Sequence, residues 1–254
     1  MAPVLRVDQV SKSFGGVVAA DRITMSVHSG AIVGLIGPNG AGKTTVFNII
    51  SGFCRPSGGD VFLNEIKCTN LQPHSITRLG MARTFQMIRL FPGLSVLENV
   101  LVGMQTKNTS TVVDDIVRTA RRASEEKANI SEARRILGLL GLEEQLNEIP
   151  TSLPYGDQRK VEIARALAGN PRLLLLDEPA AGMNEAETTY LAEFIVSLPG
   201  QGISVLLIEH DMRFVMKLCN YIYVLDHGVL IAEGTPAEVQ ADSRVIEAYI
   251  GKGA

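Results

Sequence analysis

GLIGPNGAGKTTVFNIIS, residues Gly34 to Ser51, carries an apolar strand end through a glycine-rich turn into a helix. Gly37, Gly40 and Gly42 let the backbone turn tightly enough for successive N–H groups to point inward at an anion. The helix starting near Lys43 adds the positive end of its dipole. Lys43 supplies a full charge for the β and γ phosphates of a nucleotide, and Thr44 places a hydroxyl where a phosphate-bound Mg²⁺ would sit. Upstream, Ala31 to Ile36 (AIVGLI) reads as a buried strand, and VFNII, from Val46, as the apolar face of a helix. A phosphate grip between strand and helix predicts an α/β fold: a mostly parallel sheet with flanking helices.

Around this grip stands a chain of 254 residues, 46% hydrophobic and 20% charged, enough for one large domain or two closely joined ones. The net charge of −3 offers no basic footprint for nucleic acid or an anionic membrane. Cys54, Cys68 and Cys219 are far apart and lack CxxC spacing, so they read as reduced thiols. No apolar run is long enough to span a membrane, and the start, VLRVDQV, lacks the pattern of a signal region. If a membrane is involved, another chain crosses it.

Val4 to Val10 alternates like an edge strand, and Ile23, Met25 and Val27 repeat the period, which predicts an antiparallel N-terminal part. Phe14, followed by Gly15 and Gly16, is placed in a loop, either to stack on a purine base or to fill the core. Gly59 to Glu65 gives another short strand, Pro73 opens a short helix that Gly80 ends, and Met81 to Gln86 returns to the sheet with Gln86 at the strand end. From Leu90 to about Leu142 helical periodicity dominates, opening on a capping box of Ser95 with Glu98 and carrying an apolar stripe of Ala133, Ile136, Leu137 and Leu140. The charged stretch Thr106 to Asn129 is expected to be a solvated helix.

Leu153 to Asn170 begins with proline and glycine and continues as a helix closed by Gly169, and Leu173 to Leu176 reads as a strand buried on both faces. That strand ends in Asp177 and Glu178, at the same sheet edge as the phosphate grip. Asn184 with Glu187 caps the next helix, whose Leu191, Phe194, Ile195 and Leu198 face inward. ISVLLIEH places His210 at another strand end. Two strands, Tyr221 to Asp226 and Val229 to Glu233, join at His227 and Gly228, and two short helices follow, one capped by Thr235 with Glu238 and one closing at Gly251. His28, His74 and His227 have no companions and are assigned no chemistry.

Phosphate grip, carboxylate pair, glutamine and histidine are the parts needed to cleave a γ-phosphate with water. Asp177 would hold Mg²⁺, Glu178 would polarise the water as general base, and Gln86 and His210 would order water, metal and phosphate. A P-loop kinase would need an acceptor pocket and a lid, for which the sequence carries no signal.

Across essentially its whole length the chain resembles the ATP-binding subunits of ABC transporters. GPNGAGKTT (Gly37 to Thr45) is similar to the Walker A motif, RTFQ ending at Gln86 to the Q-loop, LPYGDQ (Leu153 to Gln158) to the signature, and LLLLDEP to Walker B. AAGMN (Ala180 to Asn184) is similar to the D-loop, and EHDM to the switch histidine. The resemblance adds Pro38, Asn39, Ala41 and Thr45 to the ATP-binding residues. It implies that Phe14 stacks on adenine, and that Tyr155, Gly156 and Asp157 face the ATP of a second cassette. It divides the chain into a nucleotide-binding core (1–89 and 169–254) and an inserted helical subdomain (90–168) that touches a membrane partner near Gln86. Gln86 joins Thr44 and Asp177 as a metal residue.

FGGVVAADRI, MARTFQMIRLFPGLSVLENVLVG, DEPAAGMN, IEHDM and VIEAYIG resemble the importers of branched-chain amino acids, with importers of urea or amides as near relatives. Such importers imply a second ATPase chain, membrane permease chains, an external solute-binding protein and a place at the cytoplasmic face of the membrane. A soluble ABC ATPase is the rival reading. The signature departs from the common LSGGQ: Pro154 replaces Ser, Tyr155 replaces Gly and Asp157 replaces Gln. Proline cannot donate to a γ-phosphate, and Asp157 brings a negative charge, so the expectation is an asymmetric pair of sites.

Overall fold

The structure is a computed structural model and describes residues 3–105 and 120–250. A six-stranded sheet runs in the order β10, β9, β3, β8, β7, β6. In it β3 (Ile32–Ile36), β6 (Met81–Arg83), β7 (Leu173–Asp177), β8 (Ser204–Ile208) and β9 (Tyr221–Asp226) are parallel, and β10 (Val229–Gly234) returns antiparallel. The hairpin between β9 and β10 turns at His227 and Gly228, both left-handed, as a tight two-residue hairpin loop requires. A second, antiparallel sheet orders β2 (Val17–His28), β1 (Pro3–Phe14), β4 (Gly58–Leu63) and β5 (Ile66–Lys67).

The period of two along each strand splits the core into two layers. Leu174, Leu176, Val205, Leu207, Ile222 and Val224 point to one side of the large sheet. Their neighbours Leu173, Leu175, Leu206, Ile208, Tyr223 and Leu225 point to the other, where they meet Leu5, Val7, Ile23 and Val27 of the antiparallel sheet and Phe47 and Ile50 of α1 (Lys43–Ile50). The continuous apolar runs of β7 and β8 exist because both faces are covered. α2 (Pro73–Arg78) joins the second layer through Ile76.

The first layer is completed by helices. α3 (Val96–Met104) contributes Val96 and Val100, α4 (Ala120–Leu139) contributes Ala133, Ile136 and Leu137, and α5 (Tyr155–Ala168) contributes Val161, Ile163 and Ala164. α6 (Glu185–Ser197) and α7 (Met212–Leu218) continue it, and α8 (Pro236–Ala241) and α9 (Ser243–Ile250) close it with Val239 and Val245. The expected inward set of α6, Leu191, Phe194, Ile195 and Leu198, is buried throughout. All three capping boxes form, at Ser95 with Glu98, Asn184 with Glu187 and Thr235 with Glu238. Glu125, Glu126 and Lys127 are exposed on α4, as a solvated helix requires; the rest of the charged stretch up to residue 119, and Gly251, lie outside the described residues. The three cysteines are free thiols, Cys68 and Cys219 buried.

Three expectations are corrected. β1 is no edge strand: it lies between β2 and β4, its alternation dictated by one covered face. Phe14 belongs to the end of β1, paired with Val17, and at 50% exposure it is no core residue. The helix α5 closes at Gly169 as expected, its C-cap still right-handed, and Asn170 follows in the left-handed conformation. β6 ends at Arg83, so Gln86 is not at a strand end. After the Thr84 amide donates to Leu175 O (2.9 Å), backbone groups of Phe85 and Gln86 are taken by side chains of α5 instead of by β7.

Candidate functional site

Because β3, β6, β7 and β8 are parallel, their C-terminal ends open on one edge, and the segments that leave them carry the polar residues. After β3 comes the phosphate loop. Gly37 has φ 149° and a Cβ there would lie 2.0 Å from the carbonyl oxygen of Leu225; Gly42 has φ 100° and its Cβ would lie 2.2 Å from that of Ala19. Gly40, at φ 82°, has open space around it, so its requirement is conformational alone. The Gly228 amide donates to Ala41 O (3.0 Å), tying the loop to the β9–β10 turn. α1 starts from Gly42 with no side-chain cap, which leaves first-turn N–H groups available to an anion. Lys43 Nζ donates to Gly37 O (2.7 Å) and Pro38 O (2.9 Å). Burial lowers its pKa, opposed by the charges of Glu178 and Asp177. Asn39 and Thr44 are exposed, Pro38 and Thr45 partly so.

β7 delivers Asp177 and Glu178. Asp177 is buried, and its carboxylate accepts from Arg83 Nη2 at 3.1 Å. Burial raises the Asp177 pKa while the Arg83 hydrogen bond and charge pull it back. Arg83 also donates to Asn48 (2.8 Å) and Ser51 (2.7 Å) of the α1 region and lies over the rings of Phe47, Phe53 and Phe85. Glu178 is left-handed, φ 47°, a conformation that costs a residue with a Cβ about 1–2 kcal/mol. Its amide donates to Ile208 O (3.0 Å) and its carbonyl accepts from Ala181 (3.2 Å), which hold that conformation.

The three residues read as catalytic meet here. Gln86 Nε2 donates to Glu178 Oε2 at 3.1 Å, and His210 Nδ1 lies 3.8 Å from Glu178 Oε1. Glu209, buried behind them, accepts from the amides of Ala180 (3.0 Å) and His210 (3.1 Å), so it fixes the segments following β7 and β8 to each other. Burial raises its pKa, and those amides oppose the shift.

Tyr155, Gly156 and Asp157 form the first turn of α5, and their contacts run elsewhere. The Tyr155 ring packs on Gly182, a Cβ on Gly156 would lie 2.9 Å from the Glu187 carboxyl, and Asp157 pairs with Lys160 at 2.9 Å. Among the described residues no hydrogen bond joins them to the phosphate loop. Phe14 carries the Lys12 ammonium 5.0 Å from its ring centre.

Arg83, Glu209 and the pair Arg159 with Glu162 escaped the sequence reading. A signal existed for the last: Glu162 stands between Val161 and Ile163 in a buried helix, where a carboxylate needs a partner, and Arg159 is three residues back on the same face. Nothing in the sequence pattern marks Arg83, whose partners come from α1 and β7.

A family profile described as ABC transporter matches residues 20–181, and one described as branched-chain amino acid ATP-binding cassette transporter matches residues 229–254. The chain is 42% identical over 253 residues to the high-affinity branched-chain amino acid transport ATP-binding protein LivG of Salmonella typhimurium, with 98% of each chain covered. It is 39% identical over 251 residues to BraF of Pseudomonas aeruginosa, a protein of the same description, again with 98% of each covered. A nucleotide-free ATP-binding cassette from an ABC transporter superposes with a TM-score of 0.85 at 32% identity, covering 99% of this chain and 100% of that one. A dimeric cassette in a post-hydrolysis state with ADP and Pi superposes with a TM-score of 0.77 at 26% identity, covering 91% and 98%. The motif order, the shared strand mouth and these likenesses converge: the chain belongs to the ABC transporter family, as one of its ATP-binding subunits.

Proposed function

We propose that this chain hydrolyses ATP to drive import of branched-chain amino acids through separate membrane chains, working at the cytoplasmic face of the membrane. The observation that carries the catalytic part is the convergence of Gln86, Glu178 and His210 beside Lys43 and Asp177 at one sheet edge. The phosphate loop and Lys43 hold the phosphates, Phe14 offers its exposed ring to the adenine, and Glu178 accepts the proton of the attacking water. Gln86 and His210 orient that water and the γ-phosphate.

Mg²⁺ fits the donor set. Thr44, Asp177 and Gln86 offer hard oxygen ligands, and among the described residues no group of three His, Cys, Asp or Glu side chains converges to hold an ion alone. Such a sparse set suits an ion that keeps phosphate oxygens and water as most of its shell. When bound, it neutralises charge on the β and γ phosphates.

The solute class rests on the relatives, described as high-affinity branched-chain amino acid transport proteins, and on the terminal segment 229–254. No described helix is long and apolar enough to cross a membrane, and in this reading separate permease chains form the crossing. The helical part, 90–168, is the contact for them, and an external binding protein delivers the solute. Two cassettes pair, the first turn of α5 facing the partner's ATP. Pro154 caps that helix without a side-chain hydrogen bond, and Lys160 draws the Asp157 carboxylate to itself, so the anion would meet bare N–H groups of Tyr155, Gly156 and Asp157. The missing hydroxyl makes this signature the weaker one and favours a heterodimer whose second chain supplies the stronger.

The test is purification of the tagged chain from its native membranes in mild detergent. Two polytopic chains and a second ATPase, with ATP turnover stimulated by a leucine-loaded binding protein, are the expected result. Stimulation by a urea- or amide-loaded binding protein instead overturns the solute. Recovery with ribosomes or nucleic acid overturns the transport reading. In the same complex Pro154→Ser raises turnover; an unchanged rate removes the asymmetry.

A further inference from the structure

The side chains of Arg159 and Glu162 are 0% and 1% exposed, an ion pair sealed inside the helical layer at 2.8 Å. A buried pair of this kind is a poor stabiliser, since desolvating two charges offsets most of their attraction, and apolar side chains of similar volume would pack the helix as well. What these charges hold is backbone of the segment that carries Gln86. Arg159 donates to Phe85 O through Nη1 and to Gln86 O through Nη2 (2.7 Å), while Glu162 Oε1 accepts the amides of Phe85 and Arg89, both at 3.4 Å. Arg159 Nη2 also reaches the Tyr155 hydroxyl at 3.4 Å, so the same guanidinium touches the first turn of α5.

Upstream, the segment is pinned to β7 by the Thr84 amide on Leu175 O. Gln86 therefore has its carbonyl on the helical layer and its side-chain amide on Glu178 of the sheet. We infer that Arg159 and Glu162 are positioning residues for hydrolysis: by gripping the backbone of residues 85–89 they set the distance from Gln86 to Glu178, and with it the order of the attacking water. Neither touches the nucleotide. The inference rests on reading Gln86 and Glu178 as the water-ordering pair.

The test uses the full chain in its assembled complex. Arg159→Met combined with Glu162→Leu keeps the volume and removes the charges; Glu162→Gln is nearly isosteric and serves as the second variant where the pair variant does not fold. The expected result is a kcat about tenfold lower or more, with the KM for ATP unchanged, because a small displacement of an orienting group costs rate rather than grip. Amide hydrogen exchange at Phe85 and Arg89 accelerates in the same variants. Gln86→Ala added to either costs little further, although in the natural chain it costs about as much as the clamp variants do. An unchanged kcat in the folded variant, or full additivity with Gln86→Ala, overturns the inference. Gln86→Ala in the natural chain separates the two failures: a loss there leaves the site reading standing, and a silent substitution takes that reading down as well.

Discussion

At the scale of single residues, the three loop glycines have unequal jobs. Gly37→Ala and Gly42→Ala would drive a methyl into the carbonyl oxygens of Leu225 and Ala19, at 2.0 and 2.2 Å, so strand backbone must move. We expect each to cost about 3 kcal/mol or more in urea unfolding, the sum of overpacking and left-handed strain. Gly40→Ala meets nothing and should cost only about 1–2 kcal/mol. Equal costs would mean that the neighbouring carbonyls yield freely. Glu178→Gln should keep ATP binding while lowering turnover about a hundredfold or more, the usual weight of a general base. Retained turnover would move the proton acceptor elsewhere, with His210 next in line. Thiol labelling discriminates as well: burial pushes Cys68 to about 11 and Cys219 to about 12, so in the folded chain only Cys54 should react rapidly with a disulfide reagent at neutral pH.

At the scale of elements, what is legible from sequence is what neighbours in sequence decide. The capping boxes of α3, α6 and α8 each close within four residues, and all three were readable. Their chemistry gives a pH test. Glu98 accepts the Ser95 amide and Glu238 the Thr235 amide, both at 2.7 Å, and these bonds hold both carboxyls below their ordinary value of 4.5. A depressed folded pKa means stabilisation present above 4.5 and lost as pH falls through the folded value. Thermal midpoints of the Glu98→Gln/Glu238→Gln chain should therefore lie below those of the natural chain at neutral pH and converge with them in acid. A gap that persists in acid would assign the difference to something other than the carboxylate charge. The end of β6 was not legible, because the groups that divert Phe85 and Gln86 sit on α5, more than seventy residues away in sequence. The pattern MARTFQ contains no trace of them, and strand propensity alone runs on past the point where a buried ion pair intervenes. The place of Phe14 at the end of β1 was illegible for a similar reason: an aromatic near glycines says nothing about which side of a hairpin will be covered.

At the scale of the whole molecule, distant parts of the chain meet at one backbone unit. Gly37 packs under Leu225 of β9, its carbonyl accepts Lys43 Nζ, and the Tyr249 side chain of α9, near the end of the chain, lies beside its backbone. Burial raises the phenol pKa, and the neighbouring Gly37 backbone opposes the shift. The terminal segment matched by the branched-chain family profile thus reaches the root of the phosphate loop, which the order of motifs along the chain did not suggest. Tyr249→Phe removes the hydroxyl beside Gly37 and almost no volume. It should weaken ATP binding several-fold, the equivalent of about 1 kcal/mol, because a loop no longer anchored from behind must be ordered by the nucleotide itself. The rate at saturating ATP should stay as it is, since Gln86, Glu178 and His210 hang from other strands. Calorimetric titration with ATP, set beside the thermal midpoint, decides the matter. Weaker binding at an unchanged midpoint makes α9 a support of the phosphate loop, whereas unchanged binding confines it to closing the first layer of the core through Val245.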